Sequence, residues 1–228
     1  TEGTDGQLVV TLSDPVDVNV SFDFTTADGS AVDPGDYTST SGSDISFSNA
    51  TAAPLSQVVS ISTIDESLVE LAEDFTVTIS DLQPSDGSRD LSLGATVGTI
   101  TIGNNDSATV TISDVVIDEE AGTAILDVTL SDQVDASVTV PFQTLDGTAL
   151  LAFGDYTSLT GNLVFAPGEI LRSVGVTVTD DDIVELDEFF SLGLEEAQAS
   201  GRDVTVVDDS LEQTDNTAIK ATGRVDLR

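Results

Sequence analysis

The chain repeats itself, and this repeat limits how it can fold more than any other feature. Three motifs of the first half recur in the second: Thr11-Leu12-Ser13-Asp14 as Thr129-Leu130-Ser131-Asp132, Gly35-Asp36-Tyr37 as Gly154-Asp155-Tyr156, and Val69-Glu70-Leu71 as Val184-Glu185-Leu186. A repeating unit of roughly 115 residues has the commonest size of a single domain. We therefore predict two domains of one kind, at residues 1–106 and 107–228.

Charge limits the possible partners. The chain has 42 acidic and 6 basic residues, and its formal net charge is -36. It has no basic patch to displace the counterions of a phosphate backbone, so we expect no nucleic-acid partner. No apolar run approaches the roughly 20 residues of a membrane span, so we expect no membrane insertion. Such a chain attracts cations, although acidity can also be a simple adaptation to high salt.

The residue types that the sequence lacks exclude several kinds of metal site and catalytic site. The sequence contains no histidine and no cysteine, which removes imidazole and thiolate metal sites and every catalytic arrangement built on those side chains. Paired carboxylates could serve a glycosidase. Such sites usually include aromatic platforms, however, and only 5% of the residues are aromatic. We predict that the chain is not an enzyme.

Short alternating segments predict an all-β fold. Apolar residues recur at every second position, as in Val138, Val140 and Phe142 or Val174, Val176 and Val178. This period is typical of strands with one buried face, and strands at regular spacing indicate a β-sandwich in each copy. The pairs Asp28-Gly29 and Asp146-Gly147 indicate turns, for which we expect glycine to supply a positive φ. Residues 66–75 are interpreted as an acidic loop that enters a strand.

Several spaced motifs closely resemble the Calx-beta family. In the second copy they are the run Phe142 to Ala149, Gly154-Asp155-Tyr156, Pro167-Gly168-Glu169 and the acidic segment Asp180 to Phe189. The first copy carries Asp28-Gly29, Gly35-Asp36-Tyr37 and Glu70 to Phe75 in the same order. The resemblance covers nearly the whole chain. It implies two tandem immunoglobulin-like, seven-stranded antiparallel β-sandwiches that bind Ca²⁺ at one tip.

In the second copy, the resemblance implies a metal site made of carboxylates. The implied ligands are Glu119 with Glu120 as a neighbouring choice, Asp155, Asp180, Asp181, Asp182, Glu185 and Glu188. Calcium is a hard cation that takes six to eight oxygen ligands, so a chain rich in aspartate and glutamate suits it. A divalent ion would also offset the repulsion between crowded carboxylates.

In the first copy, the implied metal site carries less negative charge than in the second copy. Its members are Glu2, Asp36, Asp65, Glu66, Glu70, Glu73, Asn104, Asn105 and Asp106. Glu66 and Ser67 replace two aspartates, and asparagine supplies part of the trailing triplet. We further expect the first copy to lack its opening strand and the second copy to lack its acidic C-terminal triplet.

These features predict a calcium-binding structural or adhesive module pair of a large secreted or cell-surface protein. Calcium ions at the sandwich tips would stiffen the array, and the other partners would be neighbouring repeats of the parent protein and a cell-surface protein or glycan. The expected location is extracellular or on the cell surface, in a bacterium. One alternative is a calcium-sensing regulatory domain pair. Another is a carbohydrate- or protein-binding module that binds no metal and whose surface is merely acidic.

Overall fold

The computed structural model describes residues 1–48, 55–180, 186–207 and 218–228. Within these ranges the chain forms fifteen β-strands and one short 3₁₀ helix at Glu119–Ala121. It divides into two compact units. The first unit contains Thr1–Glu66 and Leu71–Asn105, and the second contains Ser67–Glu70 and Asp106–Arg228.

The first unit is built from six described strands. They are β1 (Gly6–Leu12), β2 (Val20–Asp28), β3 (Ser41–Phe47), β4 (Leu55–Ile61), β5 (Glu73–Pro84) and β6 (Val97–Ile102). One sheet has the order β3-β2-β5-β6, and the other consists of β1 and β4. All pairings are antiparallel. The core contains the rings of Phe22, Tyr37 and Phe75, all of which are buried.

The second unit is built from nine described strands. They are β7 (Ala108–Ile112), β8 (Val115–Ile117), β9 (Thr123–Leu130), β10 (Val138–Asp146), β11 (Thr160–Phe165), β12 (Leu171–Thr177), β13 (Glu188–Leu194), β14 (Val204–Val206) and β15 (Ala221–Leu227). The two sheets have the orders β11-β10-β13-β15-β8 and β12-β9-β7-β14. β8 runs parallel to β15, and β14 runs parallel to β7.

The prediction of an all-β pair of sandwiches is confirmed. The expected alternation is clear in β9, where Ala124, Leu126, Val128 and Leu130 are buried and the residues between them are exposed. Within the described ranges the strand numbers are six and nine, where seven were expected in each copy. In the second unit the opening strand is split into β7 and β8, one in each sheet, and β14 adds a three-residue strand. The described part of the first unit has no counterpart of β7 or β8.

Two glycines are required for a different reason from the one predicted. Gly29 and Gly147 do not have a positive φ. A Cβ atom on Gly29 would lie 2.3 Å from the carbonyl oxygen of Asp74, and one on Gly147 would lie 2.3 Å from that of Phe189. Each glycine therefore allows β2 or β10 to end against the backbone of the neighbouring strand.

Candidate metal centre

A buried tyrosine anchors the loop that follows β2 in the first repeat. The Tyr37 hydroxyl donates a 2.6 Å hydrogen bond to Oδ1 of Asp28, and the Asp33 amide donates to the same oxygen at 3.1 Å. The Tyr37 ring stacks on Phe75 of β5 with centroids 4.0 Å apart. The neighbouring residue Asp36 is half-buried, and its Oδ2 accepts a 2.5 Å hydrogen bond from the Val32 amide. The loop therefore fixes one oxygen of the Asp36 carboxylate.

The second repeat has the same arrangement. Tyr156 donates a 2.6 Å hydrogen bond to Oδ1 of Asp146 and stacks on Phe190 with centroids 4.3 Å apart. Oδ2 of Asp155 accepts a 2.6 Å hydrogen bond from the Leu150 amide. Both tyrosines are therefore packed against an aromatic ring and hydrogen-bonded to an aspartate. In both repeats the candidate ligand, Asp36 or Asp155, accepts this hydrogen bond from the residue that lies four positions after Asp28 or Asp146.

The tyrosine–aspartate pairs have shifted pKa values. Burial, and then the hydrogen bond to Asp28, raises the pKa of Tyr37 to about 12. The pKa of Asp28 is lowered, first by the hydrogen bond from Tyr37 and then by the Asp33 amide. In the second repeat the pKa of Tyr156 is raised by burial and by Asp146, and the pKa of Asp146 is lowered by the Leu151 amide and by Tyr156. At neutral pH each hydroxyl is therefore a donor to an ionised carboxylate.

Backbone hydrogen bonds bring distant acidic segments of the first repeat to one pole. The Glu2 amide donates to the Gly103 carbonyl at 3.2 Å, and the Ile64 amide donates to the Asp36 carbonyl at 2.9 Å. The side-chain amide of Asn105 donates to Oδ1 of Asp65 at 3.4 Å. The segments that carry Glu2, Asp36, Asp65 and Asn105 therefore meet at this pole, as the resemblance implied.

Two carboxylates at this pole are close enough to share an ion. Carboxylate oxygens of Asp36 and Glu73 lie within 4.8 Å of one another, and both residues are half-buried. Oxygens that bind one calcium ion at 2.3–2.6 Å lie at most about 5 Å apart. The spacing of this pair therefore fits a shared calcium ion. Glu70, also predicted for this copy, is half-buried and belongs to the second compact unit.

The other predicted ligands of the first repeat differ in exposure. Glu2 is buried, with 6% of its surface exposed. Asp65 and Asn105 are exposed, and the half-buried ones are Glu66, Asn104 and Asp106.

The second repeat has an equivalent pole. The Thr179 amide donates to the Asp155 carbonyl at 3.0 Å, just before Asp180, and the Glu119 amide donates to the Arg228 carbonyl at 3.4 Å. Glu188 pairs with Leu227, the neighbour of Arg228. Four of the predicted positions, 119, 155, 180 and 188, are thus brought to one end of this unit.

The exposure of these positions varies. Glu119, Asp155 and Glu188 are half-buried, whereas Glu120 and Asp180 are exposed. Asp181, Asp182 and Glu185 lie outside the described residues.

Sequence reasoning missed the roles of Asp28 and Asp146. The sequence predicts only turns at these positions, but each aspartate holds the tyrosine that fixes the ligand loop. A signal was available: in both copies an Asp-Gly pair precedes a Gly-Asp-Tyr motif by a few residues. That spacing places an acceptor and a phenol on the two sides of one loop.

Comparison with known proteins gives a family and several relatives. The model of the Calx-beta domain matches residues 2–115 and 103–221. The chain is 28% identical over 210 residues to sodium/calcium exchanger 1 of Bos taurus, which covers 85% of the chain and 21% of that protein. It is 27% identical over 204 residues to sodium/calcium exchanger 3 of Homo sapiens, covering 81% of the chain and 22% of that protein. The chain thus spans about a fifth of the length of these relatives.

Solved structures with some similarity include CBD12 from CALX1.2 and the apo form of the Calx CBD1 domain. The first is 21% identical, with a TM-score of 0.43, and the match covers 98% of this chain and 93% of that one. The second is 22% identical, with a TM-score of 0.43, and the match covers 54% of this chain and 96% of that one.

The predicted extracellular or cell-surface location in a bacterium is wrong. The relatives are sodium/calcium exchangers of mammals, not bacterial surface proteins. The prediction failed because acidity and a lack of cysteine are compatible with more than one compartment. Among the helices of the described residues, none has the length and apolar character needed to cross a membrane.

Proposed function

The chain belongs to the Calx-beta family, and on this premise we propose that it is a pair of calcium-binding domains that acts as a calcium-sensing regulatory segment. The proposed domains are residues 1–106 and 107–228. Calcium is the ligand, and the role is regulatory rather than catalytic. The relatives favour a calcium-sensing segment, the alternative given by the sequence, over a secreted adhesive module, because they are exchangers.

The observation that carries the proposal is the meeting of acidic segments at one pole of each repeat. In both units a backbone amide next to an acidic segment donates to the carbonyl of the Gly-Asp-Tyr aspartate: Ile64 to Asp36 and Thr179 to Asp155. A link that is built twice at equivalent positions supports a shared role for the two poles. In the first repeat the carboxylate oxygens of Asp36 and Glu73, which lie within 4.8 Å of one another, add a spacing that suits calcium.

The donor set favours calcium over softer metals. Histidine and cysteine are absent from the sequence, so the available donors are the oxygen atoms of carboxylate, amide, hydroxyl and carbonyl groups. Such oxygen ligands suit hard cations. Binding would also reduce the self-repulsion of a chain whose formal net charge is -36.

Calcium titration of the full chain by calorimetry tests the proposal. A sensor should bind with a dissociation constant between about 10⁻⁷ and 10⁻⁵ M, whereas a structural spacer would saturate only near 10⁻⁴ to 10⁻³ M. Small-angle scattering over the same calcium range should change at the concentration at which the heat is released. Magnesium at equal ionic strength is the control for simple charge screening. No calcium heat in excess of the magnesium heat would exclude the proposal.

A further inference from the structure

The second repeat has an unpaired strand edge along β12. The strand order of its sheet is β12-β9-β7-β14, so β12 is an outer strand. Among the described residues, β12 pairs only with β9, in a register that places Leu171 opposite Thr129. An outer strand presents backbone amide and carbonyl groups on its free side, and these groups can pair with another chain.

The hydrogen bonds between β9 and β12 show which residues of β12 point to the free side. The Leu130 amide donates to the Ile170 carbonyl at 2.9 Å. Hydrogen-bonded and non-hydrogen-bonded pairs alternate along an antiparallel ladder, so the next pair, Thr129 and Leu171, is not hydrogen-bonded. The amide and carbonyl groups of Leu171 therefore point away from β9.

The backbone of Asp127 supports the same alternation. Asp127 lies opposite Ser173, but its carbonyl accepts from the Ser113 amide at 2.9 Å and its amide donates to the Ser113 hydroxyl at 3.1 Å. Both groups of Asp127 thus point away from β12. Leu171, Ser173 and Gly175 therefore direct their own amide and carbonyl groups to the free side.

The free edge ends before Thr177. The Thr177 carbonyl accepts a 2.9 Å hydrogen bond from the Thr157 amide, so another part of the same chain already uses this position. Residues 171–175 thus form the part of β12 that is available to a further strand.

This edge lies in a segment without net charge. Residues 157–179 contain one acidic residue, Glu169, and one basic residue, Arg172, in a chain whose formal net charge is -36. The two side chains form a 2.9 Å ion pair. Outer strands of natural proteins are commonly protected by charged side chains or proline, whereas the one charge of residues 171–175 is balanced by Glu169. Two copies of this acidic chain can therefore approach along β12 with little repulsion.

The outer face beside this edge has an apolar projection and a gap. Leu171 is 51% exposed, and Ile125 of β9 is 60% exposed. Gly175 lies directly opposite Ile125, and opposite residues share one face of a sheet. Among the described residues, an added Cβ on Gly175 would meet within 4 Å only Cγ2 of Thr123, at 3.4 Å. The surface over Gly175 is therefore open, with Ile125 at its border.

We propose that β12 pairs antiparallel with β12 of a second copy of this chain, about a two-fold axis at Ser173. Ser173 then lies opposite Ser173 of the second copy, and Leu171 lies opposite Gly175 of the second copy. These pairs exchange hydrogen bonds, because their amide and carbonyl groups are the ones on the free side. The same surface of both copies makes the contact, as in other two-fold dimers, and the two sheets become continuous.

The side chains favour this register over its neighbours. Leu171 of each copy leans over the open surface at Gly175 of the other copy, towards Ile125. Two aliphatic side chains that are exposed in the single chain thereby lose contact with water. If the second copy slid by two residues in either direction, Leu171 would instead meet Ser173 or Thr177, which carry side chains at that position.

The acidic residue of β9 does not oppose this contact strongly. Oδ1 of Asp127 accepts a 2.6 Å hydrogen bond from the Ser173 hydroxyl, so its carboxylate lies on the face beside the edge. In the dimer the two copies of Asp127 are three strand spacings apart, about 14 Å. This distance exceeds the Debye length of about 8 Å at physiological ionic strength, so their repulsion is largely screened.

Sedimentation equilibrium of the full chain tests the proposal, at protein concentrations from about 1 μM to about 1 mM. EDTA is present throughout, so the result does not depend on calcium binding. We expect a reversible equilibrium between monomer and dimer. The dimer should become tighter as added NaCl shortens the Debye length from about 30 Å to about 8 Å, because salt screens the repulsion between two chains of net charge -36.

Amide hydrogen exchange locates the contact. Exchange at Leu171, Ser173 and Gly175 should slow by about tenfold or more as the dimer forms. Arg172 and Val174 lie opposite Val128 and Leu126 in hydrogen-bonded pairs with β9. Exchange at their amides should change much less.

Two variants test the side chains of the contact. Leu171→Asp should weaken the dimer by about tenfold or more, because it adds an acidic group to both halves of the contact. Gly175→Leu fills the gap without a change of charge and should weaken the dimer as well. The matched control is Val58→Asp, since Val58 is 52% exposed and lies on β4, an outer strand of the first repeat. It should leave the dimer nearly unchanged.

Any of four results would overturn the proposal. They are a chain that stays monomeric up to about 1 mM, a dimer that weakens as salt is added, a dimer in which exchange at Ser173 is unchanged, and a dimer that Val58→Asp weakens as much as Leu171→Asp does. The second result would indicate that ion pairs hold the copies together. The last two would place the contact elsewhere or reduce it to an effect of total charge.

Discussion

The hydroxyl of Tyr156 donates a 2.6 Å hydrogen bond to Oδ1 of Asp146, and Tyr37 makes the same bond to Asp28. Each bond joins the end of one strand to the aromatic residue of the Gly-Asp-Tyr motif. Since the residue before each tyrosine is a candidate calcium ligand, the pair controls where that ligand lies. The presence of this hydrogen bond in both units indicates that the ligand loop is held in place before any ion binds.

Replacement of Tyr156 by phenylalanine should destabilise the second repeat. The variant keeps the stacked ring but removes a hydrogen bond to a carboxylate, which is typically worth about 1.5–3 kcal/mol. Urea unfolding followed by the NMR signals of the second repeat measures the loss. The first repeat of the same molecule is the internal control, and its unfolding should not change. An unchanged midpoint in the second repeat would show that the hydroxyl contributes nothing to stability.

Alkaline pH should destabilise the first repeat through Tyr37. Its pKa is raised to about 12 in the folded chain, against about 10 for an ordinary tyrosine. The folded state thus holds the proton more tightly, so this contribution is complete below about pH 10 and is lost as the pH rises towards 12. The chain has two tyrosines, so tyrosinate absorbance of Tyr156→Phe follows Tyr37 alone. Ionisation of the folded variant near pH 10 would contradict the prediction.

An alanine at position 147 should be poorly tolerated. Its Cβ would lie 2.3 Å from the carbonyl oxygen of Phe189, so β10 and β13 would have to separate, at a cost of about 1–3 kcal/mol. Gly175→Ala is the matched control, because its Cβ would meet its nearest atom, on Thr123, at 3.4 Å. Thermal unfolding of Gly147→Ala and Gly175→Ala measures the difference in stability between them. Equal melting temperatures would mean that the close approach is not maintained in solution.

Local sequence patterns predicted the strands well. The alternation in β9 identified Ala124, Leu126, Val128 and Leu130 as one buried face, and the structure agrees. The split into β7 and β8 was missed, although the apolar alternation changes phase between Ile112 and Val115. That change of phase was the available signal, since a residue out of step faces the other side of a strand.

The candidate site was less predictable, because distant residues determine it. The need for glycine at position 29 arises from the carbonyl group of Asp74, which is far away in sequence. The pole of the first repeat depends on contacts among the segments of Glu2, Asp36 and Asp65. No local sequence pattern indicates contacts between residues that lie so far apart in the chain. The family resemblance supplied the candidates, and the fold shows which segments meet.

Substitution of a pole carboxylate should weaken calcium binding in its own repeat. Asp36→Asn removes one negative charge beside Glu73 at the first pole, and Asp155→Asn removes one negative charge at the second pole. Each should lower the affinity of its repeat by about tenfold, or about 1.4 kcal/mol. The rise in melting temperature with added calcium measures this effect for each repeat.

The control for both variants is Asp127→Asn. Asp127 lies in the middle of β9, where its Oδ1 accepts a 2.6 Å hydrogen bond from Ser173, and it is not a predicted ligand. Its replacement changes the net charge by the same amount. If this variant weakens calcium binding as much as Asp36→Asn and Asp155→Asn do, the effect arises from overall charge and not from the poles.

Truncation of two equivalent leucines should have unequal costs. Leu8 and Leu126 each lie three residues before the Thr-Leu-Ser-Asp motif of their repeat. Leu126 is 0% exposed, so Leu126→Ala should cost about 2–5 kcal/mol. Leu8 is only half-buried, so Leu8→Ala should cost about half as much or less, since less apolar surface is removed from contact with protein. Because two units need not unfold together, each cost is measured from the NMR signals of its own repeat. Equal costs would mean that Leu8 is buried in solution as completely as Leu126.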